Sequence, residues 1–433
     1  MDQQARVRQA VQAFYDAHPY PPPMEDLDGY RRRWQDVGRR RSEFHLHWPD
    51  RPYRTGLRVL VAGCGTMQAA KHALREPHNR VVGIDLSAAS VRHTETLRRR
   101  YGLTNLEVHQ LPVEEVGQLG QRFDQIVCTG VLHHLPDPDA GLRALQAVLE
   151  PDGALHLMVY APYGRVGIYL LQEYCRRLGI GHSPREVRDL ALALTALPRS
   201  HPLARLLAES PDFQTLDGLA DALLNPQDRA YSVPQLFDWL QRCGLRFGRW
   251  LHQAPYLPQC GSLASTPHAA RLAALPPMEQ YAAVELWRGN MLRHSLIAYR
   301  ADRPVDRCLP RFEADDWLSY VPLRLPETTN VRERLPAGAT VALINSGHSD
   351  PDLVLFVNST EWRMVQAIDG RRTIAEILEH VSLSKPAIHP TRELARSLFQ
   401  RLWWYDQVVF NIRCAHGADD TGAGEAVGSA RRE

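Results

Sequence analysis

Gly63-Cys64-Gly65 and Asp85 are the residues whose types and spacing point most directly to chemistry. The glycines follow an apolar run, Leu57 to Ala62, and precede a helical pattern from Met67 to Leu74. At such a junction a residue without Cβ lets the backbone approach a ligand that a side chain would block. Asp85 ends the next apolar run, Val81 to Asp85, 20 residues after Gly65. A carboxylate at that place can accept both hydroxyls of a ribose. G-x-G alone is weak evidence, but with an acid ending the next strand it is moderately specific for an adenosine-containing ligand. A dinucleotide site would want Gly or Ala at position 68, close to a pyrophosphate, and this chain has Gln68.

His133-His134 follow a further apolar run, Phe123 to Cys128. Imidazole titrates near neutrality and can take a proton from a nucleophile. The competing reading is a pair that packs and hydrogen-bonds beneath a lid. Cys128 with His133 and His134 matches no common zinc spacing, and His45-x-His47, read as alternating on a strand face, suits a core or solvated pair better, so no metal is expected. Cys64, at a helix start, is read as present for its size and not for its reactivity.

The elements that must position these residues alternate. Strand patterns at 57–62, 81–85, 106–109, 123–128 and 154–160 are separated by helical patterns at 67–74, 88–101 and 140–149. This predicts an α/β fold with a parallel, doubly wound sheet whose loop-bearing ends gather at one edge. Residues 161–240 break the alternation with proline-punctuated helices at 165–178 and 185–197, and belong over the crevice. Strand patterns return at 245–250 and 295–300. Ahead of the sheet, 1–56 reads as a lid segment. An amphipathic helix at 3–17 carries Val7, Ala10, Val11, Phe14 and Tyr15 on one face and is broken by His18-Pro19-Tyr20-Pro21-Pro22-Pro23. Behind it, 301–335 reads as a Pro- and Arg-rich linker, 336–414 as a small α+β unit, and 415–433 as a disordered tail.

Composition narrows the function. A chain of 433 residues suggests two or three domains at roughly 150 residues each. A net charge of +2 gives no general attraction to nucleic acid. No apolar run approaches the ~18–20 residues that span a bilayer, and the N-terminus has no signal-peptide core, so a cytoplasmic protein is expected. Seven scattered cysteines indicate neither a disulfide framework nor a zinc knuckle. Arginine supplies 49 of the 51 basic residues, with runs at 31–33 and 39–41. These runs are either a solvated face or lid residues that meet an acidic ligand group.

The stretches LRVLVAGCGT (57–66), VVGIDLS (81–87), FDQIVCTGVLHHLPDP (123–138) and LEPDGALHLMVY (149–160) together resemble the class I S-adenosylmethionine-dependent methyltransferases, in their type 11/12-like form. The resemblance implies a seven-stranded Rossmann-like sheet over 57–300, with 161–240 as substrate lid. It implies S-adenosylmethionine as cofactor. Gly63, Cys64 and Gly65 would line its methionine part, Asp85 and Leu86 its ribose, Gln110 and Leu111 its adenine, and Thr129 and Gly130 its sulfonium. His134, and after it His133, are the candidate general bases. Tyr160, Tyr163, Arg229 and Tyr231 are candidate substrate contacts. Within Asn225 to Tyr231, a substrate or cofactor clasp by Asp228, Arg229 and Tyr231 weighs evenly against a helix cap with a surface ion pair. Tyr20, in the aromatic–proline entry segment, is placed to cover the cofactor.

Two positions depart from the family pattern. Val61 stands where an acid is usual, and Met67 where a third glycine is usual. The segment Ala367 to Ile377 resembles the helix–turn–helix core of PqqD-type peptide-binding units. Three functions follow: methylation of a small-molecule or metabolite acceptor, methylation of a protein or peptide recruited by 336–414, and a non-catalytic cofactor-binding scaffold. The last helix of the C-terminal unit is dominated by Leu394, Leu398, Trp403 and Trp404, which favours peptide contact or internal packing over DNA. Neither a membrane nor a particular oligomeric state is indicated.

Overall fold

The computed structural model describes residues 3–304, 309–384 and 390–412. The main sheet contains β1 (Arg58–Ala62), β2 (Arg80–Asp85), β3 (Leu106–Gln110), β4 (Phe123–Thr129), β5 (Leu149–Tyr160), β6 (Leu245–Trp250) and β7 (Arg293–Arg300). Their order is β3-β2-β1-β4-β5-β7-β6. The first five are parallel, and β7 runs antiparallel between β5 and β6. Val59 and Val61 of β1 enter one core, Leu60 and Ala62 the other, as a strand covered on both faces requires. The order reverses between β1 and β4, so the loops after these strands diverge and leave a crevice.

β5 sets the floor of that crevice by simple alternation. Leu155, Leu157 and Val159 are fully buried in a core, while His156, Met158 and Tyr160 face the crevice. The cover is a separate helical layer. The N-terminal helix Gln3–Ala17 places Phe14 in one cluster with Ile168 and Leu171 of helix Val166–Leu178, Val187 and Leu190 of helix Pro184–Leu194, and Leu219 of helix Leu216–Leu224. The lid is therefore built from both ends of its neighbourhood, 3–17 and 161–224.

The rest of the 1–56 segment has a different task. Helix Val37–His47 packs against the C-terminal unit, and His45 and His47 sit on that helix, not on a strand. Both are buried and hydrogen-bonded, His45 to the Trp48 carbonyl and His47 to the Glu43 carbonyl and Gln125. Arg39 and Arg40 pair with Glu327 and Glu76. None of the arginines at 31–33 or 39–41 lines the crevice.

The C-terminal unit holds β8 (Val321–Arg324), β9 (Thr328–Val331), β10 (Val341–Asn345), β11 (Val354–Val357) and β12 (Val408–Asn411). They form a three-stranded antiparallel sheet, β11-β10-β9, and a pair, β12-β8. Helices Ser359–Gln366, Ile374–Ser384 and Arg392–Trp404 complete it. The segment read as a linker belongs to this core. It supplies β8 and β9, and buries Phe312, Trp317 and Tyr320 against Val341, Leu398 and Phe410. Its prolines and arginines masked that apolar spacing. The unit is also fused to the main sheet, because Leu323, Leu325 and Val409 share a core with Ile297 and Tyr299. The proposed tail at 415–433 lies outside the described residues. Five cysteines are free and buried among the described residues, and no helix there is long and apolar enough to cross a membrane.

Candidate active site

A cavity of about 950 Å³ lies over the carboxyl ends of the parallel strands, beneath the helical cover. At one end it is lined by Gly63, Gly65, Gln68, Asp85, Leu86, Thr129 and Gly130. Gly63 and Gly65 have φ of 67° and 53°, the left-handed region open to glycine. Space makes the same demand. A Cβ on Gly63 would lie 2.2 Å from Val131 Cγ2, and one on Gly65 would lie 2.8 Å from the Tyr20 carbonyl oxygen. The aromatic–proline segment is thus strapped directly across the glycine loop, and Thr66 Oγ1 donates to the Pro21 carbonyl at 2.7 Å to hold it.

Asp85 Oδ2 accepts the Gly65 N–H and Oδ1 the Ser87 N–H, both at 2.8 Å. Burial pushes its carboxyl up to about 6, against those two bonds. Each oxygen keeps a lone pair for a ligand hydroxyl. Cys64 turns the other way. Its sulfur packs toward Gly83, burial raises its thiol well above the ordinary range, and it does not line the cavity. Gln110 is exposed and donates to the Leu86 carbonyl at 3.2 Å, and Leu111 packs on the main core. Neither reaches the cavity, where Pro112, Val113 and Glu114 stand in the expected place of both. Val61 and Met67 are buried together in one core and present no polar group. Gln68, whose amide carries both donors and an acceptor, is the polar side chain the cavity meets beside that loop.

At the other end the two candidate histidines separate. His134 lines the cavity, and its Nδ1 donates to the Gln227 carbonyl at 2.5 Å. A carbonyl can only accept, so the neutral ring carries its proton on Nδ1 and its lone pair on Nε2. His133 is fully buried behind Tyr160, ring centroids 3.9 Å apart, with neither nitrogen bonded and its pKa well below the usual range through burial. It is outside the cavity lining, so the structure does not place it as a base.

Tyr160 does line the cavity. Tyr163 and Arg229 are exposed and outside the cavity lining, and Tyr231 stacks on Trp239 at 4.6 Å inside the main core. These three candidate contacts are not brought to the site. The segment that carries two of them nevertheless fastens the site together. Asn225 donates to the Tyr15 hydroxyl and Asp221, Asp228 pairs with Arg165, and the Tyr231 N–H donates to the Tyr160 carbonyl. Asp228 is buried, so it is no surface ion pair.

The sequence reading named Tyr160 and Tyr20 but missed the acids, Asp221 and Asp212, that make a rim with them and Tyr15. Tyr15 and Tyr160 hydroxyls donate to Asp221 at 2.9 and 3.4 Å, and Tyr20 to Asp212 at 2.8 Å. The signal was present in Leu219-Ala220-Asp221-Ala222-Leu223, a carboxylate inside an apolar helical run. Among the described residues no group of His, Cys, Asp or Glu is arranged to hold a metal.

A family model described as a methyltransferase domain matches residues 60–155. An uncharacterised protein of Synechococcus sp. is 34% identical over 309 residues, 69% of this chain and 73% of that protein. The chain belongs to one family with that protein, and residues 60–155 are a class I S-adenosylmethionine-dependent methyltransferase domain. The glycine cradle and Asp85 fit the cofactor of such a domain. The ubiquinone biosynthesis O-methyltransferase of Acinetobacter baylyi is 29% identical over 146 residues, 31% of this methyltransferase and 59% of that enzyme. The chain thus spans less than two thirds of that relative. The structure of PKMT2 from Rickettsia typhi in complex with AdoHcy superposes with a TM-score of 0.61 at 15% identity, covering 90% of this chain and 77% of that one. The shared fold therefore extends beyond the seven-stranded domain.

Proposed function

We propose that this enzyme transfers the methyl group of S-adenosylmethionine to a nitrogen or oxygen nucleophile of a small acceptor held inside the cavity. The observation that carries this reading is the continuity of one cavity of about 950 Å³, from the glycine loop to the tyrosine–aspartate rim. Bound at the glycine loop, the cofactor supplies an electrophilic methyl on a sulfonium. The chain's own work is then alignment and exclusion of water. The N-terminal helix and lid keep solvent from the reacting line, and Tyr160, fixed by Arg165 and His133, presents one wall. Where the acceptor still carries a proton, His134 Nε2 is the free lone pair to receive it. Asp221 and its tyrosines provide acceptors for an N–H or O–H.

A peptide acceptor is the second reading. It is favoured by Val166, Leu170, Tyr174 and Leu178, exposed by 47, 50, 48 and 60% at four-residue spacing along a lid helix. On that reading the C-terminal unit is a PqqD-type winged helix that recruits the peptide. The packing of that unit against the sheet supports the first reading instead.

Calorimetry on the full chain tests the core of the proposal. Binding of S-adenosylmethionine is expected, and none at ~1 mM would overturn it. Labelled cofactor added to cell extract then separates the readings. Label in the small-molecule fraction supports the first and label only in protein supports the second. Cofactor binding without labelled product would make the chain a scaffold, as Val61 and Met67 allow.

A further inference from the structure

The acceptor end of the cavity is built by both parts of the chain. Arg293 opens β7 and pairs in register with Tyr160 of β5, so the two side chains stand side by side on the crevice face. Arg293 is exposed to the cavity and makes no ion pair or side-chain hydrogen bond among the described residues. Beside it stands His252, just beyond β6. The loop between β10 and β11 of the C-terminal unit closes the same wall with Gly347 and His348. The fit there is close: a Cβ on Gly347 would lie 2.3 Å from the His252 ring, so only glycine lets the loop sit. The Gly347 N–H donates to Asn345 Oδ1 at 2.7 Å, which sets the turn. Asp350, the loop acid that lines the cavity, is already engaged by Asn290 at 2.8 Å and Arg288 at 3.5 Å. It therefore does not neutralise Arg293. Both His348 nitrogens and His252 Nδ1 are buried without a partner.

We propose that this wall is an anion subsite, in which Arg293, aided by His252 and His348, takes a carboxylate carried by the acceptor. The inference rests on the methyl-transfer reading above and names the class of substrate. Guanidinium binds a carboxylate through two parallel bonds, and neutral imidazoles add one N–H each. One free positive charge with Asp212 and Asp350 nearby suits a single negative charge better than a dianionic phosphate. The carboxylate at Arg293 places the rest of the acceptor beside Tyr160, toward the rim that receives its nucleophile. The C-terminal unit is then part of the substrate pocket.

Titration of the full-length protein, with and without S-adenosylhomocysteine, tests this with benzoate, neutral benzamide and inorganic phosphate as probes. Benzoate is expected to bind, benzamide and phosphate at least ~10-fold more weakly. Arg293→Met should weaken benzoate at least ~10-fold while S-adenosylhomocysteine affinity holds within about twofold. Gly347→Ala should weaken benzoate as well. The proposal fails if benzoate does not bind, if benzamide or phosphate binds as well as benzoate, or if Arg293→Met leaves benzoate unchanged. Loss of S-adenosylhomocysteine binding by the wild type would count against the cofactor reading, and the titrations without it still decide the subsite.

Discussion

Arg165 and Asp228 form an ion pair at 2.9 Å with only 6% and 4% of their side chains exposed, and the Arg165 guanidinium lies 3.5 Å from the centre of the Tyr160 ring. The pair joins the start of the lid to the Asn225–Tyr231 segment and fixes the aromatic wall of the acceptor pocket. It ties a lid contact to a residue that lines the cavity.

Asp228→Ala leaves that guanidinium buried without its counter-ion, with the Tyr169 hydroxyl and the Tyr160 ring still in contact. Removing one partner of a buried pair costs about 3–5 kcal/mol. We expect a clear drop in Tm and, in the protein that remains folded, a lower kcat with cofactor affinity retained. Unchanged Tm and kcat would show that the pair holds nothing together.

Asp85 gives a pH signature of known sign. Its folded value of about 6 lies above the ordinary 3.8. A raised carboxyl contributes stability that is present below 3.8 and is lost as pH rises to about 6. Asp85→Asn should therefore remove this loss of stability between about pH 4 and 6 in urea unfolding, although its amide oxygen can keep only one of the two N–H bonds. Cofactor binding runs the other way, because the ribose hydroxyls need the ionised form. Affinity for S-adenosylmethionine should fall below pH 6 in the wild type, and Asp85→Ala should bind roughly 10- to 100-fold more weakly at pH 7.5, the worth of a hydrogen bond to a charged group. A flat pH profile would remove Asp85 from the cofactor site.

Of the two histidines the sequence offered as bases, His134 lines the cavity and His133 does not. His134→Ala should lower kcat by about 100-fold for an acceptor that carries a proton, with little change in cofactor affinity. His133→Phe should mainly lower Tm, since that ring packs on Tyr160 and meets no ligand. Full turnover by His134→Ala would end the base assignment.

What the sequence disclosed was local. The five parallel strands, Gly63, Gly65 and Asp85 each depend on patterns within a few residues: an apolar run, a turn, an acid at a strand end. Thr129 and Gly130 followed from the same logic and do line the cavity. What it hid was built across distance. Tyr15 meets Asp221 across 206 positions, and Arg249 meets Asp406 across 157. No window reveals that Arg293 faces Tyr160, because β7 enters the sheet antiparallel and out of chain order. The same blindness sent Tyr163, Arg229 and Tyr231 to the site on the strength of proximity in sequence, when one residue more along a strand or turn points the side chain elsewhere. His45-x-His47 misled for a related reason, since period two within three residues cannot distinguish a strand from the last turn of a helix.

Asp406 decides whether the C-terminal unit is a separate module or part of one body. It is fully buried at φ 51°, takes the Arg249 guanidinium on Oδ1 at 3.1 Å and the Ala254 N–H on Oδ2 at 2.9 Å, and its carbonyl receives the Asn345 amide. Gln253 reaches the Trp403 carbonyl alongside it at 2.6 Å. With Leu323, Leu325 and Val409 sharing a core with the main sheet, the wild type should unfold in a single calorimetric transition. Asp406→Ala strands Arg249 in the seam, leaves the Ala254 N–H without its acceptor, and puts alanine into left-handed backbone. We expect a loss of about 3–5 kcal/mol, borne mainly by the C-terminal unit, so that the single transition splits in two. Methyl transfer should fall with the first transition while cofactor binding survives to the second. A wild type that already unfolds in two steps would mean the seam couples the units weakly, and the shared pocket wall would lose its support.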